Sequence, residues 1–552
     1  MTIPPISHHG LAAILFPKCI VLCLVFGAAC AACKIWLTTV WNYLASNSVR
    51  RVWQTGFLVL FSFLYLAIAF YVLRFPGYVD PVEPMVASAS YFAVHGSPVY
   101  VMPISYGPFC FLIYGAAMKV LGTSITTLKF VVVAGNLAFL LFLVLLYRKL
   151  LSWRAALLTV ALVLSACLMK LNYLVQARGD LFIYVAVALA LLSALSTRKT
   201  LAVSLMAIAL AVACGIKVTA LLCFLYPLSL FWRRHGFKVL TMSCVIALVL
   251  SAAPFAMRTL VFSDYLHWLI SASKHPRNIR EFVGNIVVTC LLASPCLLAY
   301  WQLRARDHDG ARRYLRHERF SLLCLLSGVV ITDVLASKIG AGRHHLLPFI
   351  PSAGLVTAQI LQSIEKTHGD DAPPRFCPVY LWGCLGLVLF ASELSELSDM
   401  RALTTLEESQ AIAMQDDIRT ILASFPGRSV EVGAGAGEFD LEKKYSPMYA
   451  APQLVFAGNP YTFDPSAEAD RNILDEPMRE SDVQHIGSCE TNVWLIPRGD
   501  TPFHSISIYS GMYPDHYEGR LLFPSSFEGI FSNLYQRVSS SQFFDIYTCR
   551  NK

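Results

Sequence analysis

Apolar runs of about 20 residues, each long enough to cross the hydrocarbon core of a bilayer, recur along the chain as far as residue 396. No other feature constrains the fold as strongly. Only 14% of the 552 residues are charged, against about 25% in soluble domains. The sequence therefore predicts a polytopic α-helical membrane protein.

The net charge changes sign after the last apolar run. Residues 1–396 contain 32 basic and 14 acidic side chains, whereas residues 397–552 contain 12 basic and 22 acidic ones. The basic residues lie in short loops between apolar runs, so they indicate membrane topology rather than a nucleic-acid-binding surface. The acidic part has the composition of a mixed α/β domain. It begins with a predicted helix at 405–425. Strand-like runs follow at 429–432, 453–456 and 491–496.

Basic loops orient the membrane segments, because cytoplasmic loops are enriched in Lys and Arg. The first core span, 54–74, therefore runs outward from Arg50 and Arg51. Further spans are predicted at 126–147, 155–171, 180–196, 201–216, 218–232, 239–257, 283–303, 320–337, 344–363 and 377–396. The long basic loops between them then face the cytoplasm, and the acidic part of the chain lies outside.

This orientation divides the chain into three parts. Residues 1–53 contain an additional apolar run, 11–33, which lacks a clear cleavage site and is predicted to be a retained span. Residues 54–396 form the membrane domain, which brings the total to about 11–13 transmembrane helices. Residues 397–552 form a periplasmic domain.

Two carboxylates, Asp80 and Glu83, lie in the first outward loop, predicted at 75–125. Ionisable groups at the edge of a membrane domain are functional candidates, and residues three apart share one face of a helix. One carboxylate would deprotonate an acceptor hydroxyl or amine while the other orients it or holds a metal ion. A structural alternative stays open, since Asp-Pro-x-Glu is also a helix-capping box.

In the same loop, a hairpin-like apolar piece, 108–122, is predicted to be interfacial or re-entrant.

Four cations lie at the outward ends of different predicted spans: Arg178, Lys217, Lys338 and Arg343. Each one alone is explained by a side chain that reaches toward lipid headgroups. Together, on the side where the positive-inside rule does not require them, they predict a site for a phosphate or diphosphate headgroup. His344 and His345 are not predicted to form a metal pair, because adjacent helical residues do not converge on one ion.

Two patterns lie in the acidic part of the chain. Cys489 and Cys549 can pair if this part lies in an oxidising compartment; the other cysteines lie in or beside apolar spans as small buried hydrophobes. The motif SVEVGAGAGEFD at 429–440 matches the strand and glycine loop of S-adenosylmethionine-dependent methyltransferases. A methyltransferase is not predicted, because no recognisable βαβ unit follows the motif and the topology places it outside.

Several motifs occur in a consistent order relative to the spans. They are Asp-x-x-Glu, AVHGSPVY and YGPFCFLIYG in the first outward loop, then YRKLLSWRAALLTVALVLSA, Arg178-Gly179-Asp180, Lys217-Val-Thr and SKIGAGRHHLLP. Over about residues 50–360 the chain resembles the GT-C superfamily of glycosyltransferases that use polyprenyl-phosphate-sugar donors. It looks most like the bacterial relatives of protein O-mannosyltransferases and lipid A aminoarabinose transferases. One departure is Gly179, where the family often has Pro.

The resemblance implies transfer of a sugar from a polyprenyl-phosphate carrier to a glycolipid, polysaccharide or protein acceptor. The reaction would take place at the outer face of the bacterial cytoplasmic membrane. Asp80 would be the base, Glu83 its partner, and the four cations would bind the lipid phosphate. Asp180, His344 and Tyr106 are further candidates for the site. Some family members require Mg²⁺ or Mn²⁺ and others do not; Asp80 and Glu83 would be the ligands.

Two other classes of function stay open. A flippase or transporter of lipid-linked sugars is less favoured, because the chain shows no matching halves and its charged residues cluster at one membrane face. A non-catalytic scaffold that displays the C-terminal domain is possible only if the acid pair is merely a helix cap.

Overall fold

The computed structural model describes residues 70, 73–78, 80, 82–100, 104–168, 176–368, 408–435, 447–506 and 520–550. All of them belong to one packed unit, Ala67–Lys552. The predicted spans at 11–33 and 377–396 lie outside the described residues, and so does nearly all of the span at 54–74.

Helices form the membrane domain throughout its described part. In chain order they are α1 (Val82–His95), α2 (Pro108–Leu121), α3 (Ile125–Arg148), α4 (Trp153–Leu168), α5 (Asp180–Ala194), α6 (Lys199–Ile216), α7 (Leu225–His235), α8 (Phe237–Ala252), α9 (Phe262–Ser273), α10 (Ile279–Arg306), α11 (His308–Leu335) and α12 (Ile350–His368). Short 3-10 segments precede α7 and α12 and extend α8, at Val218–Phe224, Arg343–Phe349 and Ala253–Ala256. The chain is therefore a multi-pass helical membrane protein, as predicted.

Among the residues that the structure describes, five segments are long and apolar enough to cross a bilayer: Ile125–Arg148, Lys199–Ile216, Phe237–Ala256, Ile279–Arg306 and Arg343–Ile364. Each predicted span from 126 to 363 coincides with a helix or with a helix and its 3-10 extension. The largest boundary difference is at α11, which begins 12 residues before the predicted span at 320–337. The basic segment before that span is part of helix α11, so only Asp307 separates α10 from α11. The Asp307 carboxylate caps α11 by accepting from the Gly310 N–H at 2.7 Å.

Two segments for which an outward location was predicted differ from the prediction in their structure. The piece 108–122 is one continuous helix, α2, rather than a hairpin. At about 1.5 Å per residue its 14 residues span roughly 21 Å, which is shorter than the hydrocarbon core. Helix α9 lies between two spans where no helix was predicted; it buries Tyr265, Trp268 and Ser271 on one side.

The C-terminal domain is a mixed α/β fold, as predicted. Its elements are α13 (408–424), β1 (Val430–Val432), α14 (Ala451–Phe456), α15 (Pro465–Ile473), α16 (Glu480–Gly487), β2 (Val493–Pro497), α17 (Ser525–Leu534), β3 (Tyr535–Ser540) and β4 (Phe544–Cys549). The strands form one sheet in the order β1-β2-β4-β3, with β1 and β2 parallel and the other pairs antiparallel. Trp494, Phe503 and Phe531 are fully buried in its core.

Two sequence interpretations of this domain were wrong. The run 453–456 is part of helix α14 rather than a strand, because its apolar side chains pack on α1. A βαβ arrangement does follow the glycine motif, since helices α14 to α16 join the parallel strands β1 and β2. The two described glycines of the turn, Gly433 and Gly435, pack closely against other parts of the domain. A Cβ atom at Gly433 would lie 2.7 Å from Ile496, and one at Gly435 would lie 2.4 Å from the Asp500 carboxylate.

The C-terminal domain packs on the loops at one end of the membrane helices. The Gln415 side-chain amide donates to the Pro76 carbonyl oxygen at 2.8 Å. The ring of Phe456 lies 5.7 Å from that of Tyr91 on α1. Near α9, the Ser271 hydroxyl donates to a Glu476 carboxylate oxygen at 3.1 Å. The C-terminal domain therefore lies on the same side of the membrane helices as α1 and α9.

Cys489 and Cys549 form a disulfide that closes a 60-residue separation within the C-terminal domain. Replacing both by Ser removes a cross-link that is worth about 4 kcal/mol for a loop of this length. We expect the C-terminal domain of the double variant to unfold at a lower temperature, which limited proteolysis of the intact protein during heating would measure. Cys244→Ser, at an exposed free cysteine, is the control and should change nothing. Equal melting of the double variant and the wild type would contradict the prediction.

Candidate functional site

Glu83 is buried at the start of α1 and anchors two loops to each other. Its side chain is almost fully enclosed. One carboxylate oxygen accepts from the Asp80 N–H at 3.2 Å, which is the back-bond of a capping box. The other oxygen accepts from the Ala177 N–H at 2.6 Å, 94 residues away in sequence. Glu83 therefore joins the first outward loop to the segment that carries Arg178.

Asp80 lies on the rim of the same site and is more accessible, with 21% of its side chain exposed. One carboxylate oxygen accepts from the Val82 N–H at 2.9 Å, so the side chain also caps α1. The same carboxylate faces the Arg178 guanidinium at 3.4 Å. The Asp80 carboxylate therefore caps α1 and is also the candidate base, so the helix-cap interpretation and the catalytic interpretation of the sequence are compatible.

Asp180, the first residue of α5, is the centre of a buried ion-pair group. Its carboxylate lies 2.6 Å from the Lys217 ammonium and 3.4 Å from the Arg178 guanidinium. Its negative charge is favourable at the N-terminus of α5, and the positive charge of Lys217 is favourable at the C-terminus of α6. Two of the four predicted phosphate-binding cations therefore lie together, held by the carboxylate whose role the sequence left open.

Tyr106 forms the wall of this group on the side of the first outward loop. Its hydroxyl accepts from the Arg178 guanidinium at 3.1 Å, and the Lys217 ammonium lies 4.9 Å from the centre of its ring. Burial raises the pKa of Tyr106 although the nearby Arg178 and Lys217 charges oppose the shift, so the hydroxyl keeps its proton. Tyr114 on α2 donates to the Arg178 carbonyl oxygen at 2.8 Å and fixes its backbone.

Glycines allow these segments to approach closely. The Gly107 N–H donates to the Ile216 carbonyl oxygen at 2.8 Å, directly before Lys217. A Cβ atom at Gly107 would lie 2.3 Å from the Gly215 carbonyl oxygen, and one at Gly179 would lie 2.5 Å from the Ile216 side chain. Glycine at 179, the departure from the family pattern, therefore has a packing reason in this chain.

Lys338 and Arg343 lie apart from the Asp180 group. The Lys338 ammonium donates to the Ser273 carbonyl oxygen at 2.6 Å. The Arg343 guanidinium lies against Gly284 on α10 and is exposed. Neither makes an ion pair with an acidic residue in the described part of the chain. His344 is buried beside Arg343 and interacts electrostatically with Asp180.

Sequence reasoning missed Lys129, a buried cation in the apolar helix α3. Its ammonium donates to the Phe75 carbonyl oxygen and lies 4.8 Å from the centre of the Phe75 ring. It also interacts electrostatically with Glu83 and so compensates that buried carboxylate. The signal was present in the sequence, since a lone lysine within a membrane span is itself a functional candidate.

The carboxylates that the resemblance offers as metal ligands do not fit a divalent cation. Both oxygens of Glu83 accept backbone N–H groups, from Asp80 and Ala177. The oxygens of Asp80 face the Val82 N–H and the Arg178 guanidinium. A divalent cation would compete with these donors for the oxygens and, at Asp80, would be repelled by the Arg178 guanidinium. Within the described ranges, no three His, Cys, Asp or Glu side chains are grouped to hold a metal ion.

No protein-family model matches the chain, and no curated protein matches its sequence. Among solved structures, it is similar to ArnT from Cupriavidus metallidurans in the apo state and bound to undecaprenyl phosphate. Both comparisons give a TM-score of 0.50 over 89% of this chain and 98% of ArnT, at 14% and 13% identity. The apo oligosaccharyltransferase of Archaeoglobus fulgidus gives a TM-score of 0.45 at 10% identity, over 89% of this chain and 74% of that one.

The similarity to ArnT concerns the fold, because the identity is low. It extends over most of this chain and nearly the whole of ArnT. The fold that the resemblance implied, a multi-pass helical membrane domain followed by a C-terminal α/β domain, is therefore confirmed.

Replacing Gly107 by Ala would force its backbone away from that of Gly215 and displace Tyr106 from Arg178 and Lys217. Such overpacking typically destabilises by about 1–3 kcal/mol. We expect a lower melting temperature of the purified protein. Gly529→Ala, on helix α17 with no atom within 4 Å of the new methyl group, is the control. A Gly107→Ala variant that melts at the same temperature as the wild type would rule out this close backbone contact.

Proposed function

We propose that the protein transfers a sugar from a polyprenyl-phosphate carrier to an acceptor at the outer face of the cytoplasmic membrane. The observation that carries the proposal is an accessible carboxylate, Asp80, that pairs with the buried cation Arg178, which Asp180 joins to a second buried cation, Lys217. Fold similarity supports it, since one of the similar ArnT structures is bound to undecaprenyl phosphate.

Asp80 acts as the general base in this proposal. It accepts the proton of an acceptor hydroxyl or amine as that nucleophile forms a bond to the anomeric carbon of the sugar. The bond between the anomeric carbon and the phosphate oxygen breaks, and its electron pair leaves with the carrier phosphate. Asp80 suits this role better than Glu83, because Asp80 reaches the surface whereas Glu83 is enclosed.

Arg178 and Lys217 stabilise the negative charge that develops on the leaving phosphate. A lipid phosphate is already a good leaving group, so it needs cationic stabilisation more than protonation. Asp180 keeps both cations oriented and compensates part of their positive charge. Tyr106 covers them on the side of the first outward loop.

Glu83 is a positioning residue in this mechanism. Its carboxylate accepts from the backbone N–H groups of Asp80 and Ala177, and so fixes the position of Asp80 relative to the Ala177–Arg178 segment. Placement of the site outside the cytoplasm is supported by the loop charges. The Cys489–Cys549 disulfide of the C-terminal domain, which lies on the same side, also supports it.

Replacing Asp80 by Asn removes the base while it keeps the size of the side chain. We expect kcat for transfer from a radiolabelled polyprenyl-phosphate sugar to fall about 10²- to 10⁴-fold, with an unchanged melting temperature. Asp264→Asn, at an exposed acid on α9, is the matched control and should retain full activity. Full activity of the Asp80 variant would refute its assignment as the base.

Replacing Glu83 by Gln should act differently. The new amide would present N–H groups to a backbone N–H and leave a buried donor unsatisfied, which costs about 1–3 kcal/mol. We therefore expect a lower melting temperature together with reduced activity.

Wild-type protein that moves labelled carrier across vesicles without transferring the sugar would favour the flippase instead.

A further inference from the structure

A second group of cations lies outside the Asp180 group, on the surface. We call Arg277, Arg280, Lys338 and Arg343 the outer cation group. Arg277 and Lys338 face each other in an antiparallel bridge. Arg343 lies against Gly284, one helical turn after Arg280 on α10. The three arginines are exposed and Lys338 is partly buried.

Like charges are crowded in the outer cation group without an acid to balance them. Within the part of the chain that the structure describes, none of the four makes an ion pair. Burial and the neighbouring Arg277 charge lower the pKa of Lys338, which reflects the same crowding. The acids of this region, the exposed Asp264 and the half-buried Glu281, make no described ion pair with any of the four. An anion from outside the chain is the complementary partner.

Helix α9, which directly precedes the outer cation group, has an exposed apolar stripe. Phe262, Leu266 and Ile270 follow each other at four-residue spacing and expose 54%, 39% and 48% of their surfaces. The opposite side of α9 is held by the protein: Trp268 donates its indole N–H to the Tyr100 carbonyl oxygen at 3.1 Å, and Ser271 bonds the C-terminal domain. The stripe therefore faces away from both the site and the C-terminal domain.

Short connections hold α9 at the membrane surface. Five residues separate it from the membrane-spanning segment Phe237–Ala256, and five more separate it from the segment Ile279–Arg306. Neither end of α9 can therefore lie far from the bilayer. A helix with an apolar stripe and cations beside it is the pattern of a helix that lies in the interface of an anionic membrane.

We propose that the α9 stripe and the outer cation group bind the bilayer itself, with the cations on the phosphate groups of anionic phospholipids. The leaflet is the one on the side of the C-terminal domain. Phe262, Leu266 and Ile270 lie at the boundary between headgroups and acyl chains, and the cations lie above them at the level of the phosphates. In this proposal Lys338 and Arg343 thus bind phospholipid phosphates at the membrane surface, while Arg178 and Lys217 bind the carrier phosphate.

Lipid contact at α9 bears on the candidate site through a chain of hydrogen bonds. Trp268 holds the Tyr100 backbone, the Tyr100 hydroxyl donates to the Tyr106 carbonyl oxygen at 3.1 Å, and Tyr106 contacts Arg178. A bilayer that fixes the depth of α9 therefore also supports the wall of the Asp180 group.

The test measures lipid preference without any sugar transfer, so its failure is distinguishable from failure of the proposed function. The intact protein is reconstituted with spin-labelled phosphatidylglycerol or phosphatidylcholine, and the immobilised fraction of each lipid is measured. We expect the R277Q/R280Q/R343Q variant to lose about half or more of the preference for phosphatidylglycerol. F262S/I270S should reduce the immobilised fraction of both lipids. Salt at about 1 M should remove the preference of the wild type.

The charge-matched control is R428Q/R498Q/R550Q, at exposed arginines of the C-terminal domain, which should keep the wild-type preference. An unchanged preference in R277Q/R280Q/R343Q would overturn the proposal. Loss of the preference with inorganic phosphate, but not with chloride of equal ionic strength, would assign the cations to a soluble phosphate and also overturn it.

Discussion

The buried carboxylate of Asp180 is the interaction on which the candidate site depends. It lies within 3.4 Å of both Arg178 and Lys217, which are themselves largely removed from solvent. Removing one partner of a buried ion pair typically costs about 3–5 kcal/mol, because the remaining charge is left uncompensated. The three residues come from the start of α5, the segment before it and the end of α6. Their pairing therefore fixes how these segments meet beneath the first outward loop.

Much of the membrane domain followed from the sequence, because span length and loop charge are set by the bilayer rather than by tertiary packing. The grouping of the cations did not. Lys217 and Lys338 look alike as sequence, since each is a lysine at the end of a span. Only the fold shows that Lys217 meets Asp180 whereas Lys338 meets a backbone carbonyl at the surface. Asp80 and Glu83 are also alike as sequence, since both are carboxylates in the same loop. Only the fold shows that Asp80 is accessible whereas Glu83 is buried.

In the C-terminal domain, short elements limited what the sequence could predict. The four-residue run 453–456 shows neither helical nor strand periodicity, and its contacts with α1 decide its conformation. The pairing of β1 with β2 is a long-range contact that local sequence does not specify. The strands predicted at 429–432 and 491–496 were found within two residues, because β-branched and aromatic residues mark them clearly.

In the proposed mechanism, Lys217 and Arg178 hold the phosphate of the carrier while Asp80 acts on the acceptor. The most direct test is the affinity of the purified protein for undecaprenyl phosphate, measured for Lys217→Gln and Asp80→Asn. Loss of one charge-assisted hydrogen bond should weaken the affinity of Lys217→Gln about tenfold or more. Asp80→Asn should bind at least as well as the wild type. Weaker binding by Asp80→Asn together with unchanged binding by Lys217→Gln would contradict the account.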